Sequence, residues 1–152
     1  MGILGTGYDQ FEAMPTELPL EYGPQAGFNL VANVQMRGLI PGNPDDIFEP
    51  SNPYSRISAY FADTGVPLRT SVCAFNLGYK PVDATTYEMT DGVPLIFDTC
   101  WRSGHLFGRQ IRITLEIYDA NRGYASDERV VTAVAPLNPD YPTEDDHPGC
   151  VP

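Results

Sequence analysis

Hydrophobic and polar residues alternate without a break between positions 110 and 118. One side of this segment is aliphatic and the other is mainly polar: Ile111, Ile113, Leu115 and Ile117 against Arg112, Thr114, Glu116 and Tyr118. A period of two is typical of a β-strand with one buried face. A turn with a glycine at residues 119–123 and a valine-rich run at residues 130–134 follow. We therefore predict a β-hairpin over residues 110–135.

The same alternation marks a second clear strand over residues 28–37. We expect one of its faces to contact the core and the other to stay outside it. Shorter alternating runs predict further strands, and Asp91–Gly92 is a typical hairpin turn between two of them. Residues 18–22 can form only an edge strand, because Pro19 lacks the N–H that a ladder requires. The remaining predicted strands cover residues 54–62, 66–79, 85–89 and 94–98.

The 15 prolines and 14 glycines of the chain interrupt every run with helical periodicity. These residues interrupt helices but suit the turns at the ends of a sandwich. About eight short strands separated by turns predict an all-β fold, an antiparallel β-sandwich. We divide the 152 residues into a flexible N-terminal segment (1–16), one sandwich domain (17–135) and an extended, acidic, proline-rich C-terminal tail (136–152).

The net charge of −11, from 20 acidic and 9 basic residues, argues against a nucleic-acid partner, because a phosphate backbone would be repelled. No apolar run approaches the roughly 20 residues needed to span a bilayer, so we expect no transmembrane segment. The first residues lack the basic and apolar regions of an intact signal peptide. A secreted protein whose signal or anchor has been removed would begin in this way, and so would a cytosolic protein; we expect the former.

Three cysteines allow three single disulfides, each with one thiol left over. Cys73 lies inside one predicted strand and Cys100 directly follows another, so Cys73 with Cys100 is the pairing that we rank first. Cys150 is then the odd thiol or, in another pairing, a link that holds the tail. Free buried thiols in a reducing compartment are the alternative.

Two segments resemble known bacterial domains. The hairpin pattern over residues 117–125, followed by the valine-rich run 130–134, resembles the last two strands of bacterial immunoglobulin-like domains. Residues 20–30 resemble the opening of uncharacterised domains in predicted secreted lipoproteins of Gram-negative bacteria, with Ala26 in place of a glycine. The resemblance implies an immunoglobulin-like sandwich in a periplasmic, cell-surface or extracellular protein. It implies no particular activity, because such sandwiches serve many functions.

Catalytic and metal-binding patterns are scarce. The only histidines are His105 and His147, and no Gly-x-Ser-x-Gly elbow is present, so we expect neither an enzyme nor a cofactor. Cys100 with His105 is the nearest copper or zinc pair, but no methionine follows to complete a blue-copper loop. The calcium candidates lack the spacing of a dedicated loop and fit a solvated acidic surface better. They are Asp45, Asp46 and Glu49 in the long loop 38–53, and the tail acids at 144–146.

Aromatic residues provide the best candidates for a contact surface. Trp101 and His105 lie in a predicted loop, and tyrosines at positions that could face outward suit contacts with proteins or sugars. Those tyrosines are Tyr54, Tyr60, Tyr79, Tyr87 and Tyr118. We therefore predict a non-catalytic binding or structural module with an unknown protein or carbohydrate partner. A metal-binding (calcium, copper or zinc) sandwich and a subunit of a surface filament are the alternatives. The loops 38–53 and 100–105, which interrupt the strand pattern, are the first places to look for a working surface.

Overall fold

The computed structural model describes residues 1–142 and 150–151, which form two β-sheets packed face to face. The predicted all-β sandwich is confirmed, with more strands than expected because several contain only two to four residues. The elements are β1 (Gly2–Thr6), β2 (Glu12–Ala13), β3 (Glu17–Pro19), β4 (Glu21–Tyr22), β5 (Phe28–Met36), β6 (Tyr54–Phe61), β7 (Cys73–Asn76), β8 (Tyr79–Pro81), β9 (Tyr87–Met89), β10 (Val93–Ile96), α1 (Ser103–Leu106), β11 (Gln110–Tyr118) and β12 (Tyr124–Val134).

The chain passes repeatedly between the two sheets. The first sheet has the order β2-β1-β5-β9-β8, with β4 and β10 also paired to β5. The second has the order β3-β12-β11-β6-β7, in which β3 runs parallel to β12. After β5, the chain crosses to β6 and β7, returns for β8 to β10, and crosses again for β11 and β12. Within the described residues, no helix is long and apolar enough to span a membrane.

The predicted hairpin is confirmed as β11 and β12, joined from Gln110↔Thr132 to Tyr118↔Tyr124. On its other edge β11 pairs with β6, which makes it the central strand of the second sheet. The four aliphatic residues of its inner face are at most 1% exposed, and they pack with the inner residues of the first sheet in one core. Alternation in the sequence identified this face correctly because every second residue meets the core.

Strand β5 is buried on both faces, which corrects the expectation of one open face. The outward residues Asn29, Val31 and Asn33 are at most 8% exposed. The Asn33 amide donates to the carbonyl oxygen of Gly7, and the Thr6 hydroxyl donates to that of Val31. The N-terminal segment therefore lies over β5 and supplies hydrogen-bond partners for Asn33 and for the carbonyl group of Val31.

The expectation of a flexible segment at residues 1–16 is wrong for β1. This strand pairs with β5 from Gly2↔Met36 to Gly5↔Asn33, and Leu4 is completely buried. The side chain of Asp127 on β12 accepts a hydrogen bond from the backbone N–H of Leu4 at 2.8 Å. It also forms an ion pair with Arg129 at 3.0 Å. Because Asp127 reaches from one sheet to the other, it attaches β1 to the sandwich.

Asp91–Gly92 is not a hairpin turn, since β9 and β10 both pair with β5 and not with each other. Two residues of β5 separate Ala32 from Gln35, whereas four residues separate their partners Val93 and Glu88. The segment is thus a bulge with two extra residues. The Gly92 N–H donates to Tyr8 O at 2.8 Å, so the bulge holds the N-terminal segment over β5.

The disulfide joins Cys100 to Cys150, with a Cα–Cα distance of 5.2 Å, and Cys73 is a free thiol. The pairing that we ranked first, Cys73 with Cys100, is therefore wrong. Cys73 lies on an edge strand of the second sheet, whereas Cys100 lies in the turn after β10 of the first sheet, beside the tail. The tail is also held by Tyr141, whose ring contacts Phe28 and Phe107 edge to face.

We expect Gly92→Ala to destabilise the protein by about 1–3 kcal/mol, because overpacking forces the backbone to move. A Cβ at Gly92 would overlap the carbonyl group of Gly7. Gly104→Ala is the matched control, since no atom lies within 4 Å of its Cβ position. Urea unfolding of both variants checks this. Equal free energies of unfolding would contradict the close contact.

Peptide mapping without reductant should yield a Cys100–Cys150 cross-linked peptide and an alkylated Cys73. The thiol should react slowly in the folded protein, because it is half-buried and burial raises the pKa of Cys73. Cys150→Ser should lower the free energy of unfolding by about 2–4 kcal/mol. Cys73→Ser, which keeps the disulfide, should cost less. A peptide linking Cys73 to Cys100 would refute the pairing.

Candidate binding face

Three exposed tyrosines form a row across the outer face of the second sheet. Tyr54, Tyr118 and Tyr124 lie on the adjacent strands β6, β11 and β12 and are paired in register. Their ring centroids are 6.3 Å apart between Tyr54 and Tyr118 and 4.9 Å apart between Tyr118 and Tyr124. The three residues are 36%, 45% and 52% exposed, respectively. We call this set the tyrosine row.

A shallow groove of about 450 Å³ continues from the tyrosine row along the same three strands. A second depression of about 310 Å³ lies beside it, against the loop residues 67–72 that precede β7, and shares part of its lining. The shared residues are Arg56, Ser58 and Tyr60 of β6. The outer face of the second sheet is therefore one continuous, open surface, which we call the outer face.

Several polar side chains on the outer face make no hydrogen bond or ion pair with any residue that the structure describes. Arg56 and Glu116 are paired in register across β6 and β11 but form no ion pair in the described part of the chain. The hydroxyl groups of Ser58, Thr114 and Ser126 also make no hydrogen bond to a described residue. Polar groups that solvent can reach and that have no internal hydrogen bond can bind an external ligand without first losing a partner.

The three central strands of the outer face carry no net charge at their outward positions, although the whole chain carries a net charge of −11. The outward positions of β6, β11 and β12 hold two arginines and two glutamates. Arg112 approaches Glu128 at 3.5 Å and lies 4.7 Å from the ring centroid of Tyr60. The excess negative charge of the protein consequently lies elsewhere in the chain.

The turn between β11 and β12 is ordered by Asp119, and this turn positions two members of the tyrosine row. The Asp119 carboxylate accepts the backbone N–H groups of Gly123 at 2.6 Å, Asn121 at 3.0 Å and Ile40 at 2.9 Å. These hydrogen bonds hold the pKa of Asp119 below its usual range, and the one from Ile40 has the largest effect. The contact with Ile40 also attaches the turn to the long loop after β5.

Trp101 and His105, our candidates for a contact surface, have structural roles instead. Trp101 is only 3% exposed and packs edge to face against Phe61 at 4.8 Å. His105 is half-buried in α1, and its Nδ1 accepts the backbone N–H of Arg102 at 3.0 Å. Trp101 is a core residue because the turn after β10 directs it between the sheets. Since Cys100 is in the disulfide, the proposed copper or zinc pair with His105 is lost.

Two of the three acidic side chains of the loop 38–53 accept local hydrogen bonds. Asp46 accepts the N–H of Phe48, and Glu49 accepts both the N–H and the hydroxyl of Ser51. Asp45 lies in the same loop, where its own N–H donates to the side chain of Asn43. No cluster of three metal-binding side chains occurs among the described residues. The tail acids at 144–146 and His147 lie outside those residues.

The tyrosines expected to face outward divide into two groups. Tyr54 and Tyr118 are exposed and Tyr60 is half-buried on the outer face, whereas Tyr79 is 1% exposed. The hydroxyl of Tyr79 lies 2.7 Å from that of Ser55, and burial raises its pKa to about 12. Sequence reasoning missed Tyr124. Its position directly after the turn makes it the cross-strand partner of Tyr118, and that symmetry could have identified it.

Comparisons with known proteins identify no relative. The chain matches no family model, and no curated protein or solved structure is significantly similar to it. The function has to be inferred from the geometry of the chain itself.

We expect Asp119→Ala to lower the free energy of unfolding by about 1–3 kcal/mol at neutral pH, because backbone donors lose their acceptor. A carboxylate whose folded pKa is lowered stabilises the fold above the ordinary aspartate pKa of about 4. That contribution is lost as the pH falls through the folded value. Unfolding measured from neutral to acidic pH should therefore show a weaker pH dependence in the variant. Asp9→Ala, at an exposed position, is the control and should leave the free energy of unfolding at neutral pH unchanged.

Proposed function

We propose that the protein is a non-catalytic binding module that acts outside the cytoplasm and binds its partner through the outer face. The observation that carries this proposal is the tyrosine row, three exposed aromatic rings in register on adjacent strands. Exposed tyrosines supply a large contact area at a low cost in side-chain entropy. Scattered apolar residues on a surface are ordinary, but a contiguous row beside unengaged polar groups is typical of a recognition surface.

The order of the strands supports an immunoglobulin-like sandwich. In such folds, successive strands alternate between sheets in Greek-key fashion, and the last two strands form a hairpin beside the strand that follows the first crossing. Here β11 and β12 form that hairpin and β6 is the strand beside it. The parallel pairing of β3 with β12 agrees with an N-terminal strand that extends across both sheets.

An extracytoplasmic location is supported by the Cys100–Cys150 disulfide, since structural disulfides persist mainly in oxidising compartments. The resemblance of residues 20–30 and 117–134 to domains of secreted bacterial lipoproteins points the same way. We therefore propose a periplasmic, cell-surface or extracellular bacterial protein, with partners among envelope components.

A binding role fits the outer face better than catalysis. Hydrolytic sites need a nucleophile within hydrogen-bond reach of a base that a third group orients. Among the described residues, no histidine lines the groove beside the hydroxyl groups of Ser58, Thr114 and Ser126, and the Nδ1 of His105 is occupied in α1. Open, shallow and rigid surfaces are also typical of recognition rather than of reaction sites, which exclude water.

The immobilised protein should retain material from solubilised bacterial envelopes, measured as total protein and total carbohydrate. A variant with Tyr54→Ser, Tyr118→Ser and Tyr124→Ser should lose this retention, because the aromatic contact area is removed while the buried face of each strand is unchanged. Both proteins should give the same far-ultraviolet circular dichroism.

The control variant carries Tyr8→Ser, Val82→Ser and Leu137→Ser, three exposed hydrophobic positions elsewhere on the surface. It should retain as much material as the unmodified protein. Equal retention by the tyrosine-row variant would show that the outer face is not the binding surface. Absence of retention by the unmodified protein would contradict the binding role.

A further inference from the structure

We propose that the ligand of the outer face is a single chain of a neutral polysaccharide, a deduction that rests on the proposed binding function. Tyrosine rings bind sugars through the C–H groups of the pyranose face, and they bind proteins through more varied contacts. The spacing and tilt of the rings, the unengaged polar groups and the neutrality of the face each favour the carbohydrate.

The spacing of the tyrosine row matches consecutive sugar rings. Its two centroid separations, 6.3 Å and 4.9 Å, are close to the length of one hexose unit. Cross-strand neighbours are held at such distances by the strand spacing of about 4.8 Å. A glycan that runs across the strands could therefore place successive rings on Tyr54, Tyr118 and Tyr124.

The tilt of the tyrosine row selects a twisted chain over a flat surface. The ring planes of Tyr54 and Tyr118 are inclined by 47°, and those of Tyr118 and Tyr124 by 48°. A crystalline polysaccharide presents coplanar rings and would contact only one of these tyrosines at a time. A single dissolved chain can rotate about each glycosidic bond and follow the tilt.

The polar groups beyond the tyrosine row suit hydroxyl-rich ligands. A sugar hydroxyl both donates and accepts hydrogen bonds, so it can use the Arg56 guanidinium as a donor and the Glu116 carboxylate as an acceptor. These two side chains are paired in register across the groove and make no hydrogen bond to any described residue. The nearby serine and threonine hydroxyls can serve both roles. A neutral polyol would thus find both kinds of partner along its path.

The charge distribution favours a neutral chain over charged polymers. The rest of the surface carries the excess negative charge of a protein at −11, which repels a polyanion approaching the groove. A strongly basic protein would be attracted to those acidic regions and gain little from the three strands of the outer face, whose charges balance. A neutral glycan experiences neither effect.

Affinity electrophoresis in gels containing soluble neutral polysaccharides (β-glucans, mannans, xylans and galactans) tests the ligand class. At least one should retard the unmodified protein. Tyr118→Ala should weaken the binding about tenfold, the factor that corresponds to the loss of one good aromatic contact. Tyr118→Phe, which keeps the ring, should bind almost as well as tyrosine. Binding should change little between low and high salt, since no net charge is neutralised.

Arg56→Ala separates a role of Arg56 in binding from a role in stability. Because Arg56 makes no hydrogen bond or ion pair with described residues, the variant should unfold at the same urea concentration but bind the polysaccharide more weakly. Arg122→Ala is the control, an exposed arginine in the turn and outside the groove lining. Equal affinity of Arg56→Ala and the unmodified protein would overturn the hydrogen-bonding role of the groove.

Several outcomes would overturn the ligand class while leaving the binding function intact. One is envelope retention that is abolished by proteinase but not by periodate, which would identify a protein ligand. A second such outcome is retardation of the protein by polyuronates alone that disappears at high salt. A third is that none of the neutral polymers retards the protein. Binding to microcrystalline cellulose in preference to soluble chains would refute the single twisted chain. Failure of envelope retention itself would instead contradict the binding function.

Discussion

Strand β5 depends on hydrogen bonds between its buried polar groups and the N-terminal segment, and the rest of the fold depends on β5. It is paired along both edges and buried on both faces, so water cannot serve as a hydrogen-bond partner. A buried polar group without a partner costs several kcal/mol. Asn33, which is fully buried, donates to Gly7 O and accepts the N–H of Val34. The N-terminal segment is therefore part of the fold and not an appendage.

This requirement makes the two outer faces of the sandwich different. On the first sheet, the segment after β1 and the bulge at Gly92 cover β5, and the ring of Phe11 lies where a side chain on Gly5 would be. On the second sheet, no described segment lies across the groove, and the outward side chains of β6, β11 and β12 remain accessible. The asymmetry of the fold thus leaves one sheet face available for a ligand.

Sequence patterns predicted those features of the fold that depend on neighbours along the chain. Alternation identified the inner face of β11 because its burial repeats every second residue. It failed for β5, where Asn33 is polar yet buried beneath the N-terminal segment, which is distant in sequence. The cysteine pairing failed for the same reason, since the approach of the tail to Cys100 leaves no local signal. The tyrosine row was partly visible, because Tyr118 and Tyr124 flank one short turn.

The regularity of the hairpin, which suggested a scaffold without a function of its own, is an advantage for the proposed binding role. Ordering a loop on binding costs free energy, whereas a face formed by paired strands of a sheet loses little conformational freedom. Asp119 holds the turn, and the buried side chains of β11 fix the rings from behind. The strands that build the core therefore also determine the spacing and tilt of the tyrosines. Loops are the usual place to look for function, but here the rigid sheet offers the better preorganised surface.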